Sequence, residues 1–260
     1  VAAALQRNNT LARQRLMGNV YGDINFTKNL IFKSEFSVDD NHSLGNAFQP
    51  TFKWGALENN ENRLRQRVEN GFFWAVKNYL TYDKKFGIHG LTVMAGQEAQ
   101  KSTYNGSVVT VSNLPSNDIQ ALDQGTYVGT TPESWSGANT LLSYYGRLNY
   151  NLNEKYLATF TYRTDASSNF GPGNKWATFP SAALAWRVSE EDFLKGSDFL
   201  SNLKLRLGYG ISGNQNLQAG LFGSQMISFA TPFGNAYRPY NIPNPLLGWE
   251  STSQLNTGLD

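Results

Sequence analysis

The 260-residue chain carries few charges for its length: charged residues make up 16% of it, and the formal net charge is +2. Aromatic residues reach 13%, glycine occurs 24 times and cysteine is absent. Disulfide frameworks and thiolate metal sites are therefore excluded, and the small net charge gives no support for nucleic-acid binding.

Apolar and polar residues alternate with a period of two along most of the chain, which is the pattern of extended strands. One face of the first strand carries Leu16, Val20 and Ile24, and the other carries Asn19 and Asp23. The predicted strands, in chain order, are 15–26, 30–39, 64–82, 89–100, 142–152, 156–165, 181–188, 203–210 and a last one from about 249 to 260.

The connections between these strands differ in length in a regular order. They read short, long, short, long, short, medium, short, long, and the long and medium ones are Asp40–Arg63, Lys101–Asn139, Ala166–Lys175 and Ile211–Gly248. Transmembrane β-barrels have short periplasmic turns at one rim and long extracellular loops at the other. A soluble sandwich has no reason to keep such an order, so the sequence predicts an all-β, antiparallel transmembrane β-barrel.

The predicted number of strands is odd, whereas bacterial single-chain barrels have an even number. An open sheet edge in lipid would leave backbone groups unpaired at several kcal/mol each. We therefore interpret the chain as an incomplete segment of about nine strands from a longer barrel.

Charged side chains on one face of the predicted strands indicate which face is turned away from lipid. An Arg or Lys at mid-bilayer costs about 2–4 kcal/mol when it meets lipid. The candidates for the face that lines the lumen are Arg147, Arg163, Asp165, Arg187, Lys204 and Arg206.

Aromatic residues in the long segments form a second group of candidates. Their rings suit stacking on sugars or contact with peptide side chains, and they equally suit packing against a partner or a neighbouring loop. These candidates for ligand or partner contact are Trp54, Trp135, Phe222, Phe233, Tyr237 and Tyr240.

The sequence offers no sign of catalysis. His42 and His89 stand apart, without a second ligand at metal spacing, and Glu190, Glu191 and Asp192 read as a solvated turn. No nucleophile, base and orienting group occur together. We therefore expect no enzyme activity, no metal and no cofactor.

Several blocks, in this order, resemble the barrel of SusC/RagA-type TonB-linked outer-membrane transporters. The similarity starts near Leu16 and is strong from Ser143 onward. The blocks are Tyr162–Phe170, Phe179–Ser181, Trp186, Ser189–Glu191, Leu203–Arg206, Gly208–Gly210, Gly213–Gln215, Asn244–Pro245, Trp249–Glu250 and Gly258–Asp260.

The resemblance implies a function in the bacterial outer membrane. Such a transporter imports glycan oligomers or peptides, is energised through TonB and is closed from outside by a SusD-like lipoprotein. The charges on the lumen face would then meet a plug domain or the passing substrate. Residues 1–260 are expected to form part of one such barrel domain, without the plug domain, the TonB box or the C-terminal strands.

Two other functions fit the same alternating pattern. A soluble carbohydrate-binding module, built as a sandwich or jelly roll, also combines alternating strands with aromatic loops. A passive porin differs from the transporter by lacking a plug domain. The substrate itself is not predicted.

Overall fold

The computed structural model describes residues 7–129, 133–194, 202–217 and 220–260. Long strands dominate them, and the only helical pieces in these ranges are two single 3-10 turns at Leu122–Gln124 and Val188–Glu190. The strands are β1 (Asn8–Asn25), β2 (Leu30–Gln49), β3 (Phe52–Trp54), β4 (Leu57–Asn59), β5 (Arg63–Phe86), β6 (His89–Ser112), β7 (Thr126–Tyr127), β8 (Glu133–Leu152), β9 (Tyr156–Ser167), β10 (Trp176–Arg187), β11 (Lys204–Asn214), β12 (Met226–Thr231), β13 (Gly234–Pro239) and β14 (Glu250–Leu259).

One sheet contains all the long strands, in the order β1-β2-β5-β6-β8-β9-β10-β11-β14, and β7 pairs with β6. The short hairpins β3-β4 and β12-β13 form separate two-stranded sheets. Within the described residues, the nine strands of this path correspond one for one to the nine predicted from sequence. The all-β, antiparallel prediction is confirmed. In the same residues, no helix is long and apolar enough to cross a membrane.

Three of the strands are much longer than predicted. β2 continues to Gln49, β6 continues to Ser112 and β8 begins at Glu133, all inside segments predicted as loops. The apolar alternation stops there, but side-chain hydrogen bonds between polar residues cross the strands, such as Gln66 Nε2 to Asn46 Oδ1 at 3.0 Å. Polar strand extensions carry no hydrophobic period, so pattern reading ended these strands too early.

The alternation of connection lengths is also less regular than predicted. The connection 188–203, read as short, is longer than the preceding connection, 168–175, read as medium. The other hairpin of this region is tight. Asn153 and Glu154 both have positive φ, and the Lys155 amide donates to the Leu152 carbonyl, as in a type I′ turn.

The chain divides into two compact units. Unit 1 comprises Val1–Asn19, Ser37–Trp74 and Ser102–Ala138, and unit 2 comprises Val20–Phe36, Ala75–Lys101 and Asn139–Asp260.

Unit 1 has a small hydrophobic core between strand ends and the segment that follows β6. Phe48, Leu64, Val111 and Leu114 are buried together there. Asn62 fixes that segment, because its amide accepts from the Leu114 backbone N–H at 2.7 Å and donates to the Leu114 carbonyl at 3.1 Å. This core therefore depends on contacts about fifty residues apart in sequence, not on local pattern.

The register of unit 2 separates two faces of the sheet. One row of directly opposed residues is apolar: Leu152, Tyr156, Trp186, Leu205 and Leu259. A row on the other face, three residues further along each strand, is polar or small: Asn149, Thr159, Ala183, Gly208 and Asn256. Because side chains alternate along every strand, one register keeps the whole apolar set on one face.

Several of the blocks that resemble the transporter family meet at the loop end of unit 2. The ring of Trp249 lies 5.3 Å from both Phe170 and Phe179, and its indole N–H donates to the Lys175 carbonyl at 2.8 Å. Phe179 lies over Gly213, where a Cβ would collide with the ring. These motif residues therefore fasten loops to strands and do not form a reactive centre.

Candidate functional site

The most developed polar site of unit 2 is a charged cluster on the polar face of β6, β8 and β9. Its centre is Arg163, whose Nε donates to both carboxylate oxygens of Asp165 at 2.8 and 3.0 Å. The Arg163 Nη2 donates to Ser143 Oγ at 2.8 Å and to Glu98 Oε2 at 3.4 Å. Lys77 adds a second cation, with its Nζ 4.0 Å from Glu98.

The two carboxylates of the cluster are largely buried, and both are paired with Arg163. The side chains of Asp165 and Glu98 are 9% and 14% exposed, and Ser143 is fully buried. The Arg163 guanidinium also lies 5.6 Å from the centre of the Tyr145 ring, within cation–π range. The two cations and the two carboxylates neutralise one another. The cluster is therefore suited to holding neighbouring strands together through ionised groups, and not to proton transfer.

The other charged candidates are not part of this cluster. Arg147 reaches only Thr161 Oγ1, at 3.3 Å. Arg187 is paired with Glu190 beyond the end of β10, Arg206 is paired with Asp260, and Lys204 begins β11. Of the six candidates, only Arg163 and Asp165 lie together; whether all six line a lumen stays a prediction.

The sequence analysis missed four of the six residues of the cluster. Glu98, Lys77, Ser143 and Tyr145 were not candidates, although the register places Tyr145 opposite Arg163 and Ser143 opposite Asp165. The tight β8-β9 hairpin was predicted from sequence, and its register could have been used to predict those two pairs. Glu98 is 65 residues from Arg163, and no local pattern connects them.

The aromatic candidates fall into different surroundings. Trp135 was read as a loop residue, which is wrong: it lies on β8, and Arg67 sits 4.8 Å from its ring centre. Trp54 lies on the small hairpin β3-β4 of unit 1 and is largely exposed. Phe222 packs beside Gly171, so loop packing accounts for it.

The remaining candidates belong to the hairpin β12-β13 of unit 2 and the segment after it. Phe233 at its tip is fully exposed, and Tyr237 and Tyr240 are 65% and 67% exposed. The base is well tied, because Tyr240 N donates to the Gln225 carbonyl at 2.7 Å and Asn241 Nδ2 donates to the Gly223 carbonyl at 3.0 Å. A fixed base with an exposed aromatic tip is the geometry of a contact surface.

In the acidic turn after β10, Asp192 and Glu190 are exposed as the sequence predicts, whereas Glu191 is held by hydrogen bonds. The Glu191 carboxylate accepts hydrogen bonds from Tyr156 Oη at 2.7 Å, Trp186 Nε1 at 3.0 Å and Lys155 Nζ at 3.1 Å. These bonds, the one from Tyr156 first, lower the pKa of Glu191 to about 2. The carboxylate is therefore ionised at neutral pH and ties the turn to the hairpin β8-β9.

Two stacked aromatic pairs mark levels along β10. Trp186 stacks on Tyr156 with ring centres 6.4 Å apart, and Trp176 stacks on Tyr144 at 6.1 Å. The two tryptophans share a face and are ten residues apart, which is roughly 33 Å along a strand at about 3.3 Å per residue. A strand tilt of about 40° reduces this to roughly 25 Å, the height of the apolar band of membrane barrels between its aromatic girdles.

Residues 3–260 match the family described as TonB dependent receptor-like, beta-barrel. The chain belongs to this family of outer-membrane β-barrels.

Among the relatives, the TonB-dependent receptor SusC of Bacteroides thetaiotaomicron is 39% identical over 197 residues, which cover 70% of this chain and 18% of the relative. TonB-dependent receptor P3 of Formosa agariphila is 34% identical over 248 residues, covering 93% of this chain and 25% of the relative. This confirms the SusC/RagA-type resemblance and the location in the outer membrane.

Solved structures give the same fold. The structure of the RagAB peptide transporter has a TM-score of 0.89 at 24% identity, covering 98% of this chain and 29% of the other. A siderophore receptor, PiuA from Acinetobacter baumannii, has a TM-score of 0.56 at 11% identity and covers 96% of this chain. The chain spans about a quarter or less of the length of the curated relatives quoted above.

Cysteine labelling at adjacent positions of β8 and β11 tests which face of the sheet meets lipid. In the full-length protein in native membranes, we expect a water-soluble maleimide to modify Arg147→Cys and Lys204→Cys and to spare Leu148→Cys and Leu205→Cys. The reason is the period-two register, which turns adjacent residues to opposite faces. Each pair supplies its own control, because the two positions share a depth; labelling of the leucine positions alone would reverse the assignment of the faces.

Proposed function

We propose that the protein containing this chain imports an oligomeric nutrient, a glycan or a peptide, across the outer membrane with energy supplied through TonB. In this proposal the chain forms part of the barrel wall. The observation that carries the proposal is the paired charged cluster around Arg163 on the polar face of this chain's sheet. The opposite face is apolar and has two stacked aromatic pairs, one near each end of β10.

The cluster supports a wall that must present polar groups inward. Charge on this face is costly toward lipid and useful toward a water-filled or plugged lumen. Arg147 leaves cationic surface on the same face of the sheet, and the proposed counterpart is the plug domain first and the passing nutrient second. Transport of this kind requires no chemistry on the nutrient, and the proposal includes no enzyme activity.

The proposal includes a surface partner. The exposed tip of hairpin β12-β13 presents Phe233 and Tyr237, and such an aromatic area suits a lasting protein contact. The partner proposed for this hairpin is a SusD-like lipoprotein that closes the transporter from outside. The similar structure RagAB is a peptide transporter, which supports the peptide class.

Uptake in cells tests the function. A strain lacking the gene is complemented with the full-length protein, and accumulation of labelled maltoheptaose and of a labelled decapeptide mixture is followed with and without TonB. Saturable uptake of one class that stops without TonB is expected. Uptake that continues without TonB would indicate a passive porin. If the deletion strain takes up both the oligosaccharide and the peptides as well as the complemented strain does, import of these oligomers by this protein would be overturned.

A further inference from the structure

Unit 2 contains a groove of about 430 Å³ on the apolar face of its sheet, at the end where the tight β8-β9 turn lies. This volume lies within the range of about 300–1,000 Å³ that ligand sites usually have. The lining comes from β8, β9, β10 and β11, and all of its residues except Arg206 are apolar or aromatic. The charged cluster around Arg163 does not line the groove, which is therefore a separate candidate binding site.

A small side chain forms the floor of the groove. Ala158 on β9 is directly opposite Tyr150 on β8 and Leu184 on β10. The next residue of β9 on this face, Tyr156, is directly opposite Trp186. The alanine therefore leaves a gap between larger side chains on its own strand and on both neighbouring strands.

Hydrogen bonds fix three aromatic side chains around this gap. Tyr156 Oη and Trp186 Nε1 both donate to Glu191 Oε1, at 2.7 and 3.0 Å, and the two rings are stacked. On the other side of the gap, Tyr150 Oη lies 2.6 Å from His89 Nδ1. Rings that are held at their polar ends do not swing into the gap, so the groove is formed before a ligand binds, and the ligand need not order it.

The surroundings of the groove suit a hydrocarbon chain. The chain belongs to a family of outer-membrane barrels, whose apolar outer face meets lipid. Tyrosine and tryptophan gather where the membrane meets water, with the ring in the membrane and the polar atom outside it. The polar atoms of Tyr156 and Trp186 meet the acidic turn, so this end of the groove lies where lipid chains join their headgroups. Short turns of such barrels face the periplasm, which identifies the leaflet as the periplasmic one.

The cations at the groove are already engaged by carboxylates. Lys155 Nζ lies 3.1 Å from Glu191 and 3.8 Å from Asp192. Arg206, the charged residue of the lining, is paired with Asp260. An anionic headgroup therefore gains little from these cations, and recognition falls to the apolar chain.

We propose that this groove binds one acyl chain of a phospholipid from the periplasmic leaflet, and that it holds the lipid by this chain and not by its headgroup. The acyl chain lies over Ala158, between Tyr150 and the stacked pair of Tyr156 and Trp186. The proposal requires the apolar face of the sheet to meet lipid, and it is independent of the nutrient that the protein imports.

Native mass spectrometry of the full-length protein in detergent tests the groove by titration with added phospholipid. The probes are phosphatidylethanolamine and phosphatidylglycerol, each with dipalmitoyl or with dioctanoyl chains. The dipalmitoyl lipids are expected to bind more tightly, and the two headgroups are expected to bind alike. Ala158→Phe fills the gap and is expected to weaken binding of the dipalmitoyl lipids by roughly ten-fold or more, because displacing about two methylene groups is enough for that loss.

Ala182→Phe is the matched control, because Ala182 is an alanine on the same face of β10 that does not line the groove. It should bind lipid as the unchanged protein does. Trp186→Leu removes one wall and should also weaken binding, whereas Trp176→Leu, in the other stacked pair, should not. Each variant is first checked for folding by its heat-modifiable migration.

Three outcomes would overturn the proposal. Unchanged binding in both Ala158→Phe and Trp186→Leu would show that lipid does not occupy the groove. Equal losses in Ala158→Phe and Ala182→Phe would show general adsorption to the apolar face. Affinity that follows the headgroup and not the chain length would place recognition at the charged turn instead.

Discussion

Replacing Arg163 with methionine is expected to lower the free energy of unfolding of the full-length protein by about 1.5–3 kcal/mol, the contribution of a hydrogen bond to a charged group. The variant leaves Asp165 and Glu98 close together on the sheet, both largely buried, with only Lys77 to compensate them. The measurement is urea unfolding of the protein refolded in lipid, followed by tryptophan fluorescence.

Arg147→Met is the matched control for this change. Arg147 is an arginine on the same face of the neighbouring strand, and Thr161 is its only hydrogen-bonding side chain in the described part of the chain. Its loss should change stability by less than about 0.5 kcal/mol, as for most surface substitutions. Equal effects of the two variants would show that the cluster has no special role in stability. A double variant, Arg163→Met with Asp165→Asn, should lose less than the sum of the single losses, since the two groups interact directly.

If the proposed SusD-like lipoprotein binds the hairpin β12-β13, replacing Met226–Pro239 with a Gly-Ser-Gly linker is expected to abolish its co-purification while the barrel still folds. The deletion removes the exposed Phe233 and Tyr237 but keeps the base, where Gln225, Tyr240 and Asn241 are hydrogen-bonded. Loops are tolerant of such changes when strand pairing is untouched. The measurement is the amount of lipoprotein retained on the tagged full-length protein.

Phe193→Ser is the control for exposed aromatic area, because Phe193 is 73% exposed but lies in the connection after β10, away from the hairpin in sequence. It should retain the lipoprotein fully. A milder variant, Phe233→Ser, should weaken retention without removing the hairpin. Full retention by the deletion variant, together with lost uptake, would assign the hairpin to nutrient contact instead; full retention and normal uptake would leave it without a role in binding.

The site could be predicted only in part. Arg163 and Asp165 are two residues apart on β9, so a local pattern found both. Glu98 reaches the same cluster from a strand 65 residues away, and the pairing of β6 with β8 brings it there. Likewise, Trp135 was expected in a loop, because the residues around it have no apolar alternation, whereas polar cross-strand contacts extend β8 to include it.

The sequence by itself determined the nine long strands of the main sheet, their antiparallel order and the split into an apolar and a polar face. These follow from a period of two, which each strand carries within its own residues. Only the tertiary structure decided where the polar strands end and which charges neutralise one another. Those properties depend on the register between distant strands, and register is set by pairing, not by any one strand's sequence.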